Sequence, residues 1–282
     1  MNDIKVFQIF YDEKTRQGLD PGFTPLDNTA NLRPDWYEFW AIRNYLLENK
    51  LEEQSWYGFL SPQFFDKTGI NSQKLAAFLN HHDLAADVTI VSFAWDQIAY
   101  FVNPFEQGEF WHPGLIDLSQ RFFSKAGINL DCRNYVAHSQ NCVFSNYVIA
   151  KPAYWKCWLQ LADALFDEAE SGNGELAEAL NRSTRYGSPA GQAGQTAMKV
   201  FVQERIAPVL LAVNRFSVMA MGMSASAALF DRLFIESPRT RRLLHTCEAM
   251  KQEYCSSRDE EYLKMYKKVR ALVPTRMNVP PA

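Results

Sequence analysis

A chain of 282 residues, 47% of them hydrophobic, can bury a full core as one large domain or as a domain with a helical appendage. Its net charge of −3, with no dense basic run, excludes the electrostatic footprint of a nucleic-acid binder. Five cysteines (Cys132, Cys142, Cys157, Cys247, Cys255) form no CxxC pair, which argues against a zinc site or a disulfide framework and fits reduced thiols in a cytoplasmic protein.

The chain enters a strand almost at once, so no signal peptide is expected. Ile4 to Tyr11 reads as a buried first strand, rich in β-branched and aromatic residues. The polar segment from Asp12 to Pro34 reads as a long loop, of a length that is usually functional or disordered. Trp36 to Leu47 is expected as a buried aromatic helix, and Trp56 to Leu60 as a second strand closed by Ser61-Pro62. Ser72 to Asn80 reads as a helix capped by Asn71, and Asp87 to Phe93 as a third strand running into Ala94-Trp95-Asp96. Gly114 to Lys125 reads as a further helix.

The stretch Asn141 to Phe166 organises the rest. An apolar run, Cys142 to Phe144, is interrupted by Ser145-Asn146-Tyr147 and resumes as Val148-Ile149-Ala150 before Lys151-Pro152 ends the strand. From Ala153 the period changes from two to 3.6, and Tyr154, Trp158, Leu161 and Leu165 share an apolar face. Ser145 and Asn146 read either as a bulge or strand cap, or as the edge of a ligand pocket.

Beyond it, Ser171 to Gly194 carries no packing signal, and Ala197 to Val213 is apolar with Glu204 and Arg205 in its middle. Phe216 to Phe230 reads as a packed core helix, too short to cross a bilayer, and the remainder is helical up to a proline-rich tail from Pro274. Arg239, Arg241 and Arg242 read as a solvated helix face, with a peripheral contact at the inner face of a membrane as the alternative. Strands alternating with helices give an α/β fold with a mixed or parallel sheet.

No GxGxxG, GxxxxGK[ST] or GxSxG is present. The adjacent pair His81-His82 reads as surface or helix cap, since neighbours cannot ligate from one helix face. His112, between Trp111 and Pro113, reads as structural or as substrate-facing.

The order of segments from about Phe7 to Val218 resembles the bacterial capsular and exopolysaccharide-type glycosyltransferases of the GT-A type. Asp27-Asn28, Asn31 and then Trp36-Tyr37-Glu38-Phe39-Trp40 match that family's early loop and aromatic helix. Trp56 to Pro62 matches its next strand, although Ser61-Pro62-Gln63-Phe64 replaces a basic turn. Asn146-Tyr147-Val148, Lys151, Trp155 and Trp158 match a late strand and helix, and Glu204-Arg205-Ile206 a closing Glu-Arg-Leu.

The resemblance implies a mixed sheet flanked by helices over residues 1–218, with a helical extension over 219–282. It implies transfer of a sugar from a nucleotide-sugar donor to a glycan or lipid-linked acceptor, or a catalytically silent binding relative from the same pathway. On the donor side it implies Tyr11, Asp27, Asn28, Asn31, Ser61, Gln63 and Lys67, and on the acceptor side Ser145, Asn146, Tyr147 and Arg205. Glu204, Asp96 and His112 are the candidates for a general base, and Glu204, set among Val200, Phe201, Val202 and Ile206, is the better one. Such enzymes commonly hold magnesium or manganese on an Asp-x-Asp turn, which this chain lacks. Either a single carboxylate suffices, or Arg43, Lys67, Lys199 or Arg205 takes the metal's place beside the diphosphate. Glu204 and Arg205 read equally as an internal ion pair.

Overall fold

The computed structural model of the chain describes residues 3–81, 86–186, 194–222 and 233–276. Strand β1 (Asp3–Phe10) leads through the short helix α1 (Glu13–Gln17) and β2 (Thr24–Asp27) to a 3-10 turn, Pro34–Trp36, and helix α2 (Glu38–Glu48). There follow β3 (Ser55–Leu60), α3 (Phe64–Thr68), α4 (Ser72–His81), β4 (Val88–Ser92), α5 (Trp95–Tyr100), α6 (Pro104–Trp111) and α7 (Leu115–Lys125). Strand β5 (Val148–Ala150) runs into α8 (Pro152–Ser171) and α9 (Glu175–Asn181), then into the hairpin β6 (Ser183–Tyr186) and β7 (Gly194–Ala197). The chain continues as α10 (Met198–Gln203), α11 (Ile206–Val213), β8 (Val218–Gly222), α12 (Pro238–Ser257) and α13 (Glu260–Arg270).

Six strands form one mixed sheet in the order β2-β1-β3-β5-β4-β8. Strand β1 is parallel to β2 and β3, β8 is parallel to β4, and β5 lies antiparallel between β3 and β4. All but β5 therefore point the same way, and their carboxyl ends share one edge. The central strands β3, β4 and β5 are buried along their whole length, as continuous apolar runs covered on both faces should be. Gly58 lies opposite Ile149 in that pairing, and a Cβ there would come within 2.9 Å of the Ile149 side chain.

Helix α8 seals one face. Trp155 donates to the carbonyl of Tyr57 at 2.9 Å and sets its ring edge-on to Phe59, while Trp158 packs against Phe39 of α2. On the other flank α5, α12 and α13 enclose a smaller core of Trp95, Phe101, Leu244, Cys247 and Tyr266. All five cysteines are free thiols, and no helix among the described residues is long and apolar enough to cross a membrane.

The expected strands at Ile4–Tyr11, Trp56–Leu60 and Val88–Phe93 are present, and the fold is α/β with a mixed sheet. Several expectations need correction. The strand expected across Val143 to Ala150 begins only at Val148, because Ser145 and Asn146 adopt φ of 57° and 54° and turn the chain out of the ladder. The segment 12–34 holds α1 and β2, and Asp12 caps α1 by accepting the Thr15 amide at 2.7 Å. Part of the stretch read as a core helix from Phe216 is the edge strand β8, so a domain boundary after Val218 falls inside a strand of the sheet. Met219, Ala220 and Met221 favour a helix in isolation, and the open edge of β4 overrides that preference. The segment from Ser171 holds α9 and the β6–β7 hairpin. His82, residues 187–193, residues 223–230 and the tail from 277 lie outside the described residues.

Candidate functional site

In a sheet whose strands run one way, the connections diverge beyond the carboxyl edge and leave a crevice there. The chain leaves β1 at Tyr11, β2 at Asn28 and β3 at Ser61, and it enters β5 through Ser145-Asn146-Tyr147. Tyr11, Asn28, Ser61, Ser145 and Asn146 line one cavity of about 390 Å³. Its far wall is the start of α2 (Tyr37, Glu38) and the end of α10 (Gln203, Glu204), and Asn31, Gln63 and Lys67 complete the polar lining. That size falls in the roughly 300–1,000 Å³ range of small-molecule sites.

Backbone strain collects at this cavity. Six non-glycine residues among those described have positive φ, and four of them (Asn31, Tyr37, Ser145, Asn146) line it. Tyr37, at φ 50° and ψ −136°, lies outside the regions open to a bulky L-residue. Such conformations cost about 1–3 kcal/mol each and persist where the surroundings over-determine them. Here they aim side chains. The reversal at Tyr37 puts Glu38 at the first position of α2, and the paired αL residues turn Asn146 inward. Asn146 Oδ1 then accepts from Trp158 Nε1 at 3.3 Å.

Open hydrogen-bonding capacity collects there too. Asn146 and Gln203 are buried to 5% and 6% exposure. Among the described residues, neither the Asn146 amide nitrogen nor the Gln203 side-chain amide has a protein partner. Neither group is sealed from solvent, so both open into the cavity, where the hydroxyls of a bound molecule can meet them. Ser61, in contrast, shares a 2.7 Å hydrogen bond with the Tyr147 hydroxyl behind the wall.

Three charges share the cavity. Burial pushes the Glu38 carboxyl above its ordinary range, the Glu204 charge adds to that, and the Lys67 ammonium opposes it. Lys67 reaches Ser145 Oγ at 3.3 Å and makes no ion pair among the described residues. The other cations proposed in place of a metal are committed elsewhere. Arg43 pairs with Asp163 at 2.7 Å, and Lys199 bridges Asp35 and Glu170 at 2.7 and 2.9 Å. Arg205 is buried and donates to Glu204 Oε2, Gln107 Oε1 and the carbonyls of Phe201 and Pro104. Among the described residues no three His, Cys, Asp or Glu side chains are grouped to hold a metal, and the β3 end offers only Ser61-Pro62-Gln63. The carboxylates that the cavity does offer are Glu38 and Glu204, on its far wall.

Of the expected site residues, Tyr11, Asn28, Asn31, Ser61, Gln63, Lys67, Ser145, Asn146 and Glu204 meet in the cavity and Tyr147 backs it. Asp27 does not line it: its carboxylate accepts the Thr29 amide at 2.8 Å and closes an exposed turn. Arg205 is walled off behind Glu204. Asp96 is fully buried in the first turn of α5, the helix that packs on α12, and lies outside the cavity. His112 stacks on Phe201 with centroids 3.5 Å apart, and burial together with the nearby Arg205 charge holds its pKa down at about 4. Neither Asp96 nor His112 is placed to take a proton from a molecule in the cavity.

Tyr37 and Glu38, matched above only as part of an aromatic helix, and Gln203 are polar lining residues to which the sequence reading assigns no site role. A carboxylate at the start of an aromatic helix reads as a favourable helix-dipole partner. Compared with protein-family models, curated proteins and solved structures, the chain matches none.

Proposed function

We propose that the chain is a glycosyltransferase, moving a sugar from a nucleotide-sugar donor to a glycan or lipid-linked acceptor in bacterial surface-polysaccharide synthesis. The observation that carries this reading is a single one. One strained cavity at the carboxyl edge of a mixed α/β sheet gathers Tyr11, Asn28, Asn31, Ser61, Lys67, Asn146 and Glu204, residues from five separate segments singled out by their place at strand ends, by their charge or by the resemblance.

In this reading Lys67 lies beside the diphosphate and stabilises the charge that grows on it as the bond to the sugar breaks. Asn146 and Gln203 offer amides to sugar hydroxyls. Glu38 takes the proton of the acceptor hydroxyl as its oxygen bonds to the sugar's anomeric carbon and the nucleoside diphosphate departs. A carboxylate whose pKa burial has raised toward the working pH is the stronger base, which favours Glu38 over the Arg205-bound Glu204. Glu204 then acts as a positioning residue, tied to the buried guanidinium.

The test is a panel of UDP-, GDP-, CMP- and TDP-sugars, followed for nucleotide release and sugar transfer with wild type and Glu38→Gln. The variant should keep donor binding and lose turnover. A second reading, a nucleotide-sugar or glycan-binding protein without turnover, is favoured by the missing Asp-x-Asp and by Ser61-Pro62-Gln63-Phe64 in place of a basic turn. Donor binding with no transfer by wild type, with or without manganese, would select it.

A further inference from the structure

Across a sill formed by Tyr11, Pro62 and Gln63, the cavity adjoins a second, wider groove of about 970 Å³. The end of β1 forms its floor, and α1, the turn Asp20–Phe23, α3 and the first turn of α4 form its walls. Of the donor-side residues, Tyr11 and Gln63 on the sill border it, and Asn28, Asn31, Ser61 and Lys67 do not.

The groove is built rather than incidental. Gln8 on its floor is 2% exposed, and its Oε1 accepts the Asp20 amide at 2.8 Å. Its Nε2 has no acceptor among the described residues and is not sealed from solvent, so an amide donor opens into the groove. The turn above it is pinned, since Asp20 accepts from the Gly22 amide and from the Ser72 amide and hydroxyl at 2.9, 2.8 and 2.6 Å. Two rings on its border, Tyr11 and Phe65, keep 41% and 56% of their surface exposed. Its charges are the carboxylates of Asp12, Asp20 and Asp66 against one ammonium, Lys14.

Those features select a ligand class. Exposed aromatic faces pack on the apolar face of a pyranose ring, while amides and carboxylates bond its hydroxyls. Three carboxylates facing one ammonium disfavour phosphate- or uronate-bearing chains. A volume of about 970 Å³ beside one of about 390 Å³ suits several sugar rings next to a single donor.

We infer that this groove binds the acceptor, a neutral or amine-bearing oligosaccharide whose terminal hydroxyl passes over the Tyr11–Gln63 sill toward Glu38. The acceptor role rests on the glycosyltransferase reading of the cavity, whereas oligosaccharide binding by the groove does not.

Calorimetric titration and saturation-transfer NMR with chitotriose, cellotriose, a glucosamine trimer and a galacturonic acid trimer, each against wild type, Phe65→Ala and Asp66→Lys, test the inference. Phe65 and Asp66 are both exposed, so neither change threatens folding. At least one neutral or amine trimer should bind, with the galacturonate trimer at least about 10-fold weaker, and Phe65→Ala should weaken the bound trimer by about 10-fold. Asp66→Lys should narrow the gap between neutral and anionic trimers. UDP and GDP affinities, measured in parallel, should not change in Phe65→Ala. Failure of every neutral and amine trimer to bind, or binding indifferent to both substitutions, overturns the inference. So does a Phe65→Ala variant that loses nucleotide as strongly as trimer, which would make the groove part of the donor site. Groove-dependent trimer binding with no nucleotide binding would instead sink the donor reading and leave the groove assignment standing.

Discussion

Lys251 and Lys67 are both cations drawn partly or wholly out of water, and the molecule treats them in opposite ways. Lys251, buried in the α5–α12 core under the Tyr266 ring, donates to the carbonyls of Ile98 and Phe101 at the end of α5. Arg205 is handled alike, with four acceptors around one guanidinium; Gly108 keeps the space, since a Cβ there would lie 2.6 Å from Arg205 Nη2. At the cavity, Lys67 has one hydroxyl, and Glu38 faces a second carboxylate. Where most of the polar hydrogens of a buried charge are answered by the protein, that charge holds elements together. Where they are left open into a cavity at the strand ends, a ligand is the missing partner.

The largest effect expected from breaking this contrast is at Glu38. Glu38→Gln should lower turnover by about 10²–10⁴-fold, the range for a lost general base. It should also raise the melting temperature at neutral pH. The folded-state pKa of Glu38 lies above its ordinary 4.5, so the folded protein binds that proton more tightly than the unfolded chain does. Stability therefore falls as pH rises from 4.5 through the folded-state value, and the variant escapes the loss. Thermal melts of the pair at pH 4 and pH 7.5 should differ only at the higher pH. Lys251→Met does the reverse: it leaves the Ile98 and Phe101 carbonyls unanswered and should cost about 2–4 kcal/mol by denaturant melt, with cavity chemistry intact.

His112 sharpens the contrast through pH. Its folded-state pKa of about 4 lies below its ordinary 6.5, so folding favours the neutral ring stacked on Phe201. That contribution is complete above pH 6.5 and is lost as pH falls toward 4, by about 2–3 kcal/mol. A His112→Phe variant should lack that part of the acid sensitivity in melts from pH 7 to 4. The smallest effect is at Glu204. Removing its charge leaves Arg205 three other acceptors, so Glu204→Gln should cost about 1–2 kcal/mol and reduce turnover far less than Glu38→Gln.

How much of this was legible in the sequence follows the same division. Strands β1, β3 and β4 and the amphipathic α8 are written in local periodicity, and Asn146 stood out because an amide inside an apolar run needs a reason. The convergence of Tyr11, Asn28, Ser61 and Asn146 followed from strand ends sharing an edge. Glu38 was illegible because its placement depends on one positive φ at Tyr37, where nothing in the side chain announces it. The Glu204–Arg205 ion pair was legible as one of two readings, although a continuous helix would separate the two side chains by roughly 100°. Pro208 lacks the N–H that the Glu204 carbonyl would accept, and the helix breaks between α10 and α11 so that the two meet at 2.8 Å. Strand β8 was hidden because its partner edge belongs to β4, far away in sequence.

The measurement closest to the central claim is calorimetric titration of UDP, GDP, CDP and TDP, and of their sugar conjugates, into wild type and Lys67→Met. Lys67 is half-buried and bonds only one hydroxyl, so the variant should fold as wild type does. At least one nucleoside diphosphate should bind wild type and bind Lys67→Met about 10–100-fold more weakly, the cost of about 1.5–3 kcal/mol for a lost charge-assisted hydrogen bond. Equal affinity for both proteins, or no binding of any nucleotide to wild type, would contradict the assignment of this cavity to a nucleotide-sugar donor.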